Sequence, residues 1–146
     1  MTKSLMAGFI AVFIIALAGC KTQKTMITLS GLEGEWDLVE LNGSPVTSGQ
    51  YKQFIKFDIV EKRFSGSAGC NRMSGGLEYN QSTPDKIQFS KAMTTRMACP
   101  ILESEQKFLS ALESVNRFEA VPAKGPADQV ALYNADNAKV IIIRKR

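Results

Sequence analysis

The sequence contains no histidine among its 146 residues. This absence removes the commonest general base and the commonest zinc ligand in proteins. It also removes any Ser–His or Cys–His pair that would activate a nucleophile. We therefore expect a non-enzymatic protein, without a catalytic residue, a cofactor or a metal site.

Long apolar runs are also missing, apart from one short run at the start of the chain. Residues 5–18 are apolar and follow Lys3, but a transmembrane helix needs about 20 such residues. A short basic region before an apolar run of this length is typical of an export signal. The run ends in Leu-Ala-Gly-Cys20, which is similar to the lipobox of bacterial lipoproteins. That similarity implies removal of residues 1–19 as a signal peptide and lipidation of Cys20.

The residues after the lipobox indicate where the lipid anchor would lie. Lys21 occupies the position at which an aspartate retains Gram-negative lipoproteins in the inner membrane. The resemblance therefore implies an outer-membrane protein whose domain faces the periplasm. Residues 20–30 are predicted to be the lipidated cysteine and a polar tether, followed by one domain at 31–146. The alternatives are an ordinary signal peptide and an inner-membrane anchor.

The charge balance is only mildly positive, with a formal net charge of +4. No segment combines basic residues with an aromatic platform, so we expect no nucleic-acid partner. The basic end at residues 144–146 is either a contact with anionic lipid or a solvated chain end. Three charges make only a small patch, so the interpretation as a solvated chain end is preferred.

Most of the remaining sequence has the patterns of β-strands. Residues 35–41 alternate, with Trp36, Leu38 and Glu40 on one face, and Asn42-Gly43 then predicts a tight turn. Further strands are predicted at residues 54–60, 63–69, 76–79, 87–89, 92–96, 117–121, 129–133 and 139–144.

One segment has helical periodicity instead. Pro100 suits a first helical position, and the helix is predicted over residues 101–115. Its apolar stripe consists of Leu102, Phe108, Leu109, Leu112 and Val115. On the opposite face, Glu103 and Lys107 are spaced for an ion pair, and Glu103 and Glu105 lie in the first turn. The fold class is therefore mainly β: a small antiparallel β-barrel with one inserted α-helix.

Three motifs resemble those of the META domain family, which includes bacterial heat-shock proteins of the HslJ type. They are Gly-Glu-Trp-Asp-Leu at residues 34–38, Gly-Cys-Asn-Arg-Met-Ser-Gly at 69–75 and Thr-Thr-Arg-Met-Ala-Cys-Pro at 94–100. The resemblance covers residues 29–144. It implies a lipocalin-like barrel with one helix and a secreted or envelope-bound protein linked to heat stress and novobiocin resistance. It implies no established catalytic mechanism.

Cys70 and Cys99 are the only cysteines that remain once Cys20 is lipidated. In an oxidising envelope compartment, a single remaining pair predicts a disulfide. The alternative is a Cu(I) site formed by Met93, Met97 and Cys99 as soft sulfur ligands. Because methionine more often fills gaps in a core, the disulfide is the preferred interpretation.

Arg72 and Arg96 each lie close in sequence to one of these cysteines, so a disulfide would bring them near each other. With Asn71 they form a candidate binding surface for an anion, because guanidinium groups bind carboxylate or phosphate through paired donors. The alternative is that each arginine stabilises the fold by bonding turn carbonyls or a carboxylate such as Glu105. Both interpretations remain open from sequence.

The sequence favours an envelope lipoprotein that supports stress or novobiocin-type antibiotic tolerance through binding. We expect a monomer held to the membrane by its N-terminal lipid, with an envelope protein or a small ligand as partner. The alternative is a carrier of a small apolar ligand inside the barrel. A carrier would keep an apolar cavity, whereas a surface-binding module would fill its barrel. The candidate filling side chains are Phe54, Phe57, Phe64, Phe89 and Phe108.

Overall fold

The computed structural model describes residues 27–47, 49–121 and 128–146. A short 3-10 helix at Leu29–Leu32 precedes the first strand, and one α-helix, α1 (Leu102–Glu113), occurs in the described chain. The strands are β1 (Gly34–Leu41), β2 (Ser44–Pro45), β3 (Phe54–Asp58), β4 (Arg63–Ser67), β5 (Arg72–Glu78), β6 (Gln88–Phe89), β7 (Met93–Thr94), β8 (Val115–Ala120), β9 (Gln129–Asn134) and β10 (Lys139–Lys145).

The ten strands form one antiparallel sheet that curls into a nearly closed barrel. The path runs β6-β5-β4-β3-β1-β10-β9-β8, while β2 pairs with β1 and β7 pairs with β5. A single bridge between Lys86 and Arg117 joins the two ends of this path, and the backbone N–H of Ile87 donates to the carbonyl of Asn116 at 3.2 Å. The predicted fold class, a small antiparallel barrel with one helix, is confirmed.

The barrel interior is filled by large apolar side chains. Four of the five phenylalanines considered as fillers, Phe57, Phe64, Phe89 and Phe108, are buried. The Phe89 ring lies 5.9 Å from that of Phe57 and 5.2 Å from that of Phe64, in tilted and edge-on geometries that aromatic pairs favour. The fifth, Phe54, lies on the outer face of the sheet.

The helix differs from its predicted pattern at one end. Leu102, expected on the buried stripe, is 43% exposed, whereas Glu105, which was expected in the first turn and was not part of the apolar stripe, is 3% exposed. Phe108 and Leu112 are buried as predicted. Pro100 lies in the turn before the helix and not at its first position. The helix therefore turns a carboxylate toward the barrel.

Two strand predictions also need correction. In β1 the alternation predicts Glu40 on the same face as Trp36 and Leu38, but the pairing with β10 shifts between Leu38 and Glu40. This irregularity places Leu41, and not Glu40, in the core. Strand β5 begins at Arg72, whereas the sequence predicted a turn there and a strand only from residue 76.

The start of the described chain belongs to the folded domain. Ile27 and Leu29, assigned to the tether from sequence, pack against the core. The signal peptide, Cys20 and residues 21–26 of the predicted tether lie outside the described residues. No helix within the described residues is long and apolar enough to cross a membrane.

Candidate functional site

The predicted disulfide between Cys70 and Cys99 is present, with the two Cα atoms 6.3 Å apart. Cys70 lies in the turn between β4 and β5, and Cys99 lies just before α1. The bond therefore joins one end of the barrel to the segment that leads into the helix. Because Cys99 is oxidised, it offers no thiolate to a Cu(I) ion, and the copper alternative loses one of its three ligands.

Next to the disulfide, the carboxylate of Glu105 is buried and fully bonded. Its Oε1 accepts hydrogen bonds from the backbone N–H groups of Cys70 and Asn71, both at 2.6 Å. Its Oε2 accepts a third bond from Nδ2 of Asn71 at 2.7 Å. These three donors satisfy the hydrogen-bonding capacity that burial would otherwise leave unmet, so this helix side chain holds the β4–β5 turn in place.

The opposite end of the Asn71 amide holds a second segment. Its Oδ1 accepts from the hydroxyl of Thr95 at 2.9 Å and from the backbone N–H of Met97 at 2.8 Å. Asn71 is only 4% exposed. It therefore connects α1, the β4–β5 turn and residues 95–97 inside the fold, and it does not contribute to an exposed binding surface as the sequence suggested.

Gly69 allows the helix to approach the turn this closely. Its φ of +139° is unfavourable for other residues, and a Cβ atom there would collide with Cδ1 of Ile101 and lie 3.3 Å from Oε1 of Glu105. The sequence did contain a signal for the buried carboxylate. Glu105 stands four residues after Ile101 and three before Phe108, which is the spacing of one helix face.

Arg72 and Arg96 are both exposed, and neither contacts Glu105 within the described residues. Their backbones are close, since the N–H of Thr95 donates to the carbonyl of Arg72 at 3.1 Å. Arg72 lines a cleft of about 550 Å³ on the outside of the barrel, whereas Arg96 does not. The carboxylate-brace alternative through Glu105 is therefore wrong for both arginines, and their role in binding remains a prediction.

This cleft, which we call the outer cleft, lies across strands β1, β3, β4, β5 and β7. Its floor is a row of directly paired residues, one from each strand: Glu35, Lys56, Ser65, Ser74 and Met93. The remaining lining residues are Phe54, Gly66, Arg72, Met73, Thr94 and Thr95. Small side chains on the middle strands leave the floor open between the longer residues at each side.

At one end of the outer cleft, Arg146 binds two carboxylates. Its Nη1 lies 3.0 Å from Oε2 of Glu35, and its Nε lies 2.6 Å from Oδ1 of Asp37. The guanidinium also stacks over the Phe54 ring at 4.2 Å. Burial lowers the pKa of Arg146, but hydrogen bonds and attraction from Asp37 and Glu35 outweigh it and raise the pKa. Arg146 therefore offsets one of the two negative charges at this end of the cleft.

No group of three or more histidine, cysteine, aspartate or glutamate residues is arranged to hold a metal ion in the described ranges. Met93 and Met97, proposed as sulfur ligands, are 68% and 51% exposed. The described residues form a β-barrel with one disulfide and a basic, hydroxyl-lined cleft on its outer face. Inside the fold, the hydrogen-bonded pair of Asn71 and Glu105 forms what we call the polar brace. That class of small barrel matches a known family.

The chain belongs to the META domain family, whose pattern it matches over residues 27–146. No curated protein matches the chain significantly. Three solved structures share its fold. A protein from Burkholderia xenovorans, solved by NMR, is 19% identical, with a TM-score of 0.60 and coverage of 100% of this chain and 99% of that one.

A second NMR structure of a protein is 24% identical, with a TM-score of 0.57, and covers 82% of this chain and 95% of that one. A crystal structure of a DUF4847 family protein from Bacteroides vulgatus is 14% identical, with a TM-score of 0.55, and covers 79% and 94% of the two chains. These similarities establish the barrel fold alone.

Proposed function

We propose that this META domain protein is a non-enzymatic, lipid-anchored protein of the bacterial outer membrane. Its domain faces the periplasm and supports tolerance of stress or of a novobiocin-type antibiotic by binding a partner on its outer surface. The lipobox-like segment ending at Cys20 supports the anchor, and the family resemblance supports the link to stress and drug tolerance.

The filled barrel interior carries the proposal that binding occurs outside. Phe57, Phe64 and Phe108 are at most 1% exposed and occupy the space in which a lipocalin-like carrier would hold its ligand. A carrier of an apolar molecule would require these rings to move apart, at the cost of their close packing. Surface binding requires no such rearrangement, so it is favoured over the carrier alternative.

The length of the tether supports a position close to the membrane. Ile27 already packs against the core, so only residues 21–26 separate the domain from Cys20. A fully extended segment of this length spans roughly 20–25 Å. A domain held by so short a segment would stay within reach of the lipid headgroups and of other proteins anchored in the same leaflet.

Two variants test this proposal in cells that lack the native gene. The first, Cys20→Ala, should leave the domain folded but release it from outer membranes after a high-salt wash. The second, Arg72→Gln combined with Arg96→Gln, should impair survival under heat or novobiocin while leaving the thermal midpoint of the purified protein nearly unchanged.

Each variant has an outcome that contradicts the proposal. Retention of Cys20→Ala in washed outer membranes would show that lipid at this residue is not the anchor. A stable Arg72→Gln, Arg96→Gln protein with full tolerance would exclude this surface. A double variant that melts far below the native protein would show that the two arginines are structural.

A further inference from the structure

The lining of the outer cleft includes two cationic side chains, Lys56 and Arg72. Lys56 and Arg72 form no ion pair within 4.0 Å of any carboxylate in the described part of the chain. Two other lysines do pair with a carboxylate in the described residues, Lys107 with Glu103 at 2.7 Å and Lys139 with Glu40 at 2.9 Å. Unpaired cations on either side of a cleft provide a positive potential at its centre.

The positions of these two residues allow them to act on one ligand. Lys56 lies on β3 and Arg72 on β5, with β4 between them, and both lie on the outer face. From ordinary strand spacing and residue rise, their Cα atoms are roughly 12 Å apart. Each side chain extends about half that distance, so both charged groups can reach an anion held above β4.

Hydroxyl groups occupy the space between the two cations. Ser65, Ser74 and Thr94 line the cleft, and their side-chain oxygens form no hydrogen bond with the described residues. A fourth hydroxyl, that of Thr95, is engaged by Asn71 and by the backbone N–H of Arg72. The three free hydroxyls can donate to an anion that the cations attract.

The acidic side chain that lines the outer cleft is paired with an arginine, which it shares with Asp37. Glu35 is the carboxylate in its lining, and Arg146 pairs with it. A neighbouring cleft of about 320 Å³ shares Lys56, Ser65 and Ser74 but also contains Asp58 and Glu61. No basic side chain within the described residues forms an ion pair with those two carboxylates. The outer cleft is therefore the more favourable of the two for an anion.

We propose that the outer cleft is a binding site for a phosphate group, held by Lys56, Arg72 and the hydroxyls between them. The phosphate belongs either to a soluble phosphorylated compound or to an anionic lipid headgroup. The inference rests on the proposed function, because it supplies the surface and the ligand class which that function requires.

Phosphate fits this site better than an apolar ligand or a single carboxylate. A lysine and an arginine on opposite sides of the group match its several oxygens, and the hydroxyls satisfy those that remain. The cleft volume of about 550 Å³ lies within the range of small-ligand sites. Glu35, at the start of β1, places the cleft beside the point where the chain enters the domain, so headgroups of the anchoring membrane are within reach.

The test uses the full chain purified in a non-ionic detergent and calorimetric titration with two probes. Pyrophosphate represents a soluble phosphate, and phosphatidylglycerol incorporated into the micelles represents a headgroup, with phosphatidylcholine as the neutral reference. Lys56→Gln combined with Arg72→Gln should weaken binding of the effective probe at least tenfold. Its thermal midpoint should stay near that of the native chain, because both side chains are exposed and unpaired.

The matched control is Lys52→Gln combined with Lys91→Gln, which removes the same charge from exposed residues that do not line the outer cleft. It should change affinity less than twofold. Binding of pyrophosphate that depends on Lys56 and Arg72 identifies a soluble ligand, and dependence seen only with phosphatidylglycerol identifies a headgroup. If neither probe binds, or if both double variants lose affinity equally, the proposed phosphate site is wrong.

The phosphate site and the proposed function can be tested independently of each other. Cleft-dependent binding in a protein whose removal changes neither heat nor novobiocin survival would retain the site and reject the function. A tolerance phenotype that survives Lys56→Gln and Arg72→Gln would reject the cleft as the surface responsible.

Discussion

Asn71 and Glu105 lie 34 residues apart in sequence, yet Nδ2 of the amide donates to Oε2 of the carboxylate at 2.7 Å inside the fold. The pair joins the β4–β5 turn to the first half of α1. The Cys70–Cys99 disulfide joins the same turn to the segment that precedes this helix. A covalent bond and a buried polar contact thus fix one end of the barrel together.

The Glu105 carboxylate should be a major contributor to stability. Glu105→Ala would leave the part-buried N–H of Cys70 and the buried N–H of Asn71 without an acceptor and would remove three hydrogen bonds. We expect a loss of about 3–5 kcal/mol in the free energy of unfolding, measured by urea denaturation. Glu103→Ala, on the exposed face two residues earlier, is the control and should change stability by less than about 0.5 kcal/mol. Equal urea midpoints for the Glu105→Ala and Glu103→Ala variants would show that the polar brace does not stabilise the fold.

Loss of the disulfide should destabilise the domain without removing the polar brace. The bond closes a loop with a sequence separation of 29, so the loop-entropy relation gives about 3–4 kcal/mol. Cys70→Ser combined with Cys99→Ser should lower the urea midpoint by a corresponding amount, and the native protein should show the same shift after reduction. Labelling of the oxidised, denatured chain should find neither thiol free. Two reactive thiols and a stability indifferent to reductant would contradict the bond.

Gly66 should tolerate no side chain. Its φ is +153°, and a Cβ atom there would overlap the carbonyl oxygen of Phe54 on the neighbouring strand. Since a backbone oxygen cannot move aside as a flexible side chain can, Gly66→Ala should cost more than about 2 kcal/mol. Gly49→Ala, at a position with no atom within 4 Å of the added Cβ, should be neutral or slightly stabilising. Thermal unfolding of the two variants measures the difference, and similar midpoints would show that the sheet adjusts at β4.

Arg146 should make a smaller, salt-sensitive contribution. Arg146→Ala removes the partner of Glu35 and Asp37 and uncovers the Phe54 ring. Because the groups are partly exposed, we expect a loss of about 1 kcal/mol at low ionic strength that shrinks in high salt. The same variant should weaken phosphate binding in the outer cleft, because Glu35 would then face the ligand with its charge uncompensated. An unchanged affinity at low salt would show that Glu35 does not influence the cleft.

Much of the architecture followed from local sequence patterns. The alternation in residues 54–58 correctly placed Ile55 and Phe57 in the core, and Asn42-Gly43 formed the predicted turn, with φ values of 48° and 80°. The family motifs around Cys70 and Cys99 led to the fold, and the presence of a single cysteine pair besides Cys20 led to the disulfide. These features depend on residue periods and on covalent pairing, which a linear sequence displays directly.

The polar site was predicted less well, because its geometry depends on how distant segments meet. Sequence proximity grouped Asn71 with Arg72, yet neighbouring residues of an extended chain point to opposite sides. Asn71 consequently enters the fold while Arg72 reaches the outer cleft. The burial of Glu105 was not predicted, because a carboxylate on its own favours water and only the donors brought by the β4–β5 turn make its burial favourable.

The sequence by itself determined the barrel class, the single helix and the cysteine pair, since each is encoded in local spacing or in residue identity. Tertiary structure alone decided that Lys56 and Arg72 share one cleft and that Arg146 pairs with the two carboxylates beside it. The physical reason is strand register: hydrogen bonding across β1, β3, β4, β5 and β7 brings together side chains from residues 35 to 93. No spacing in the linear chain specifies that row.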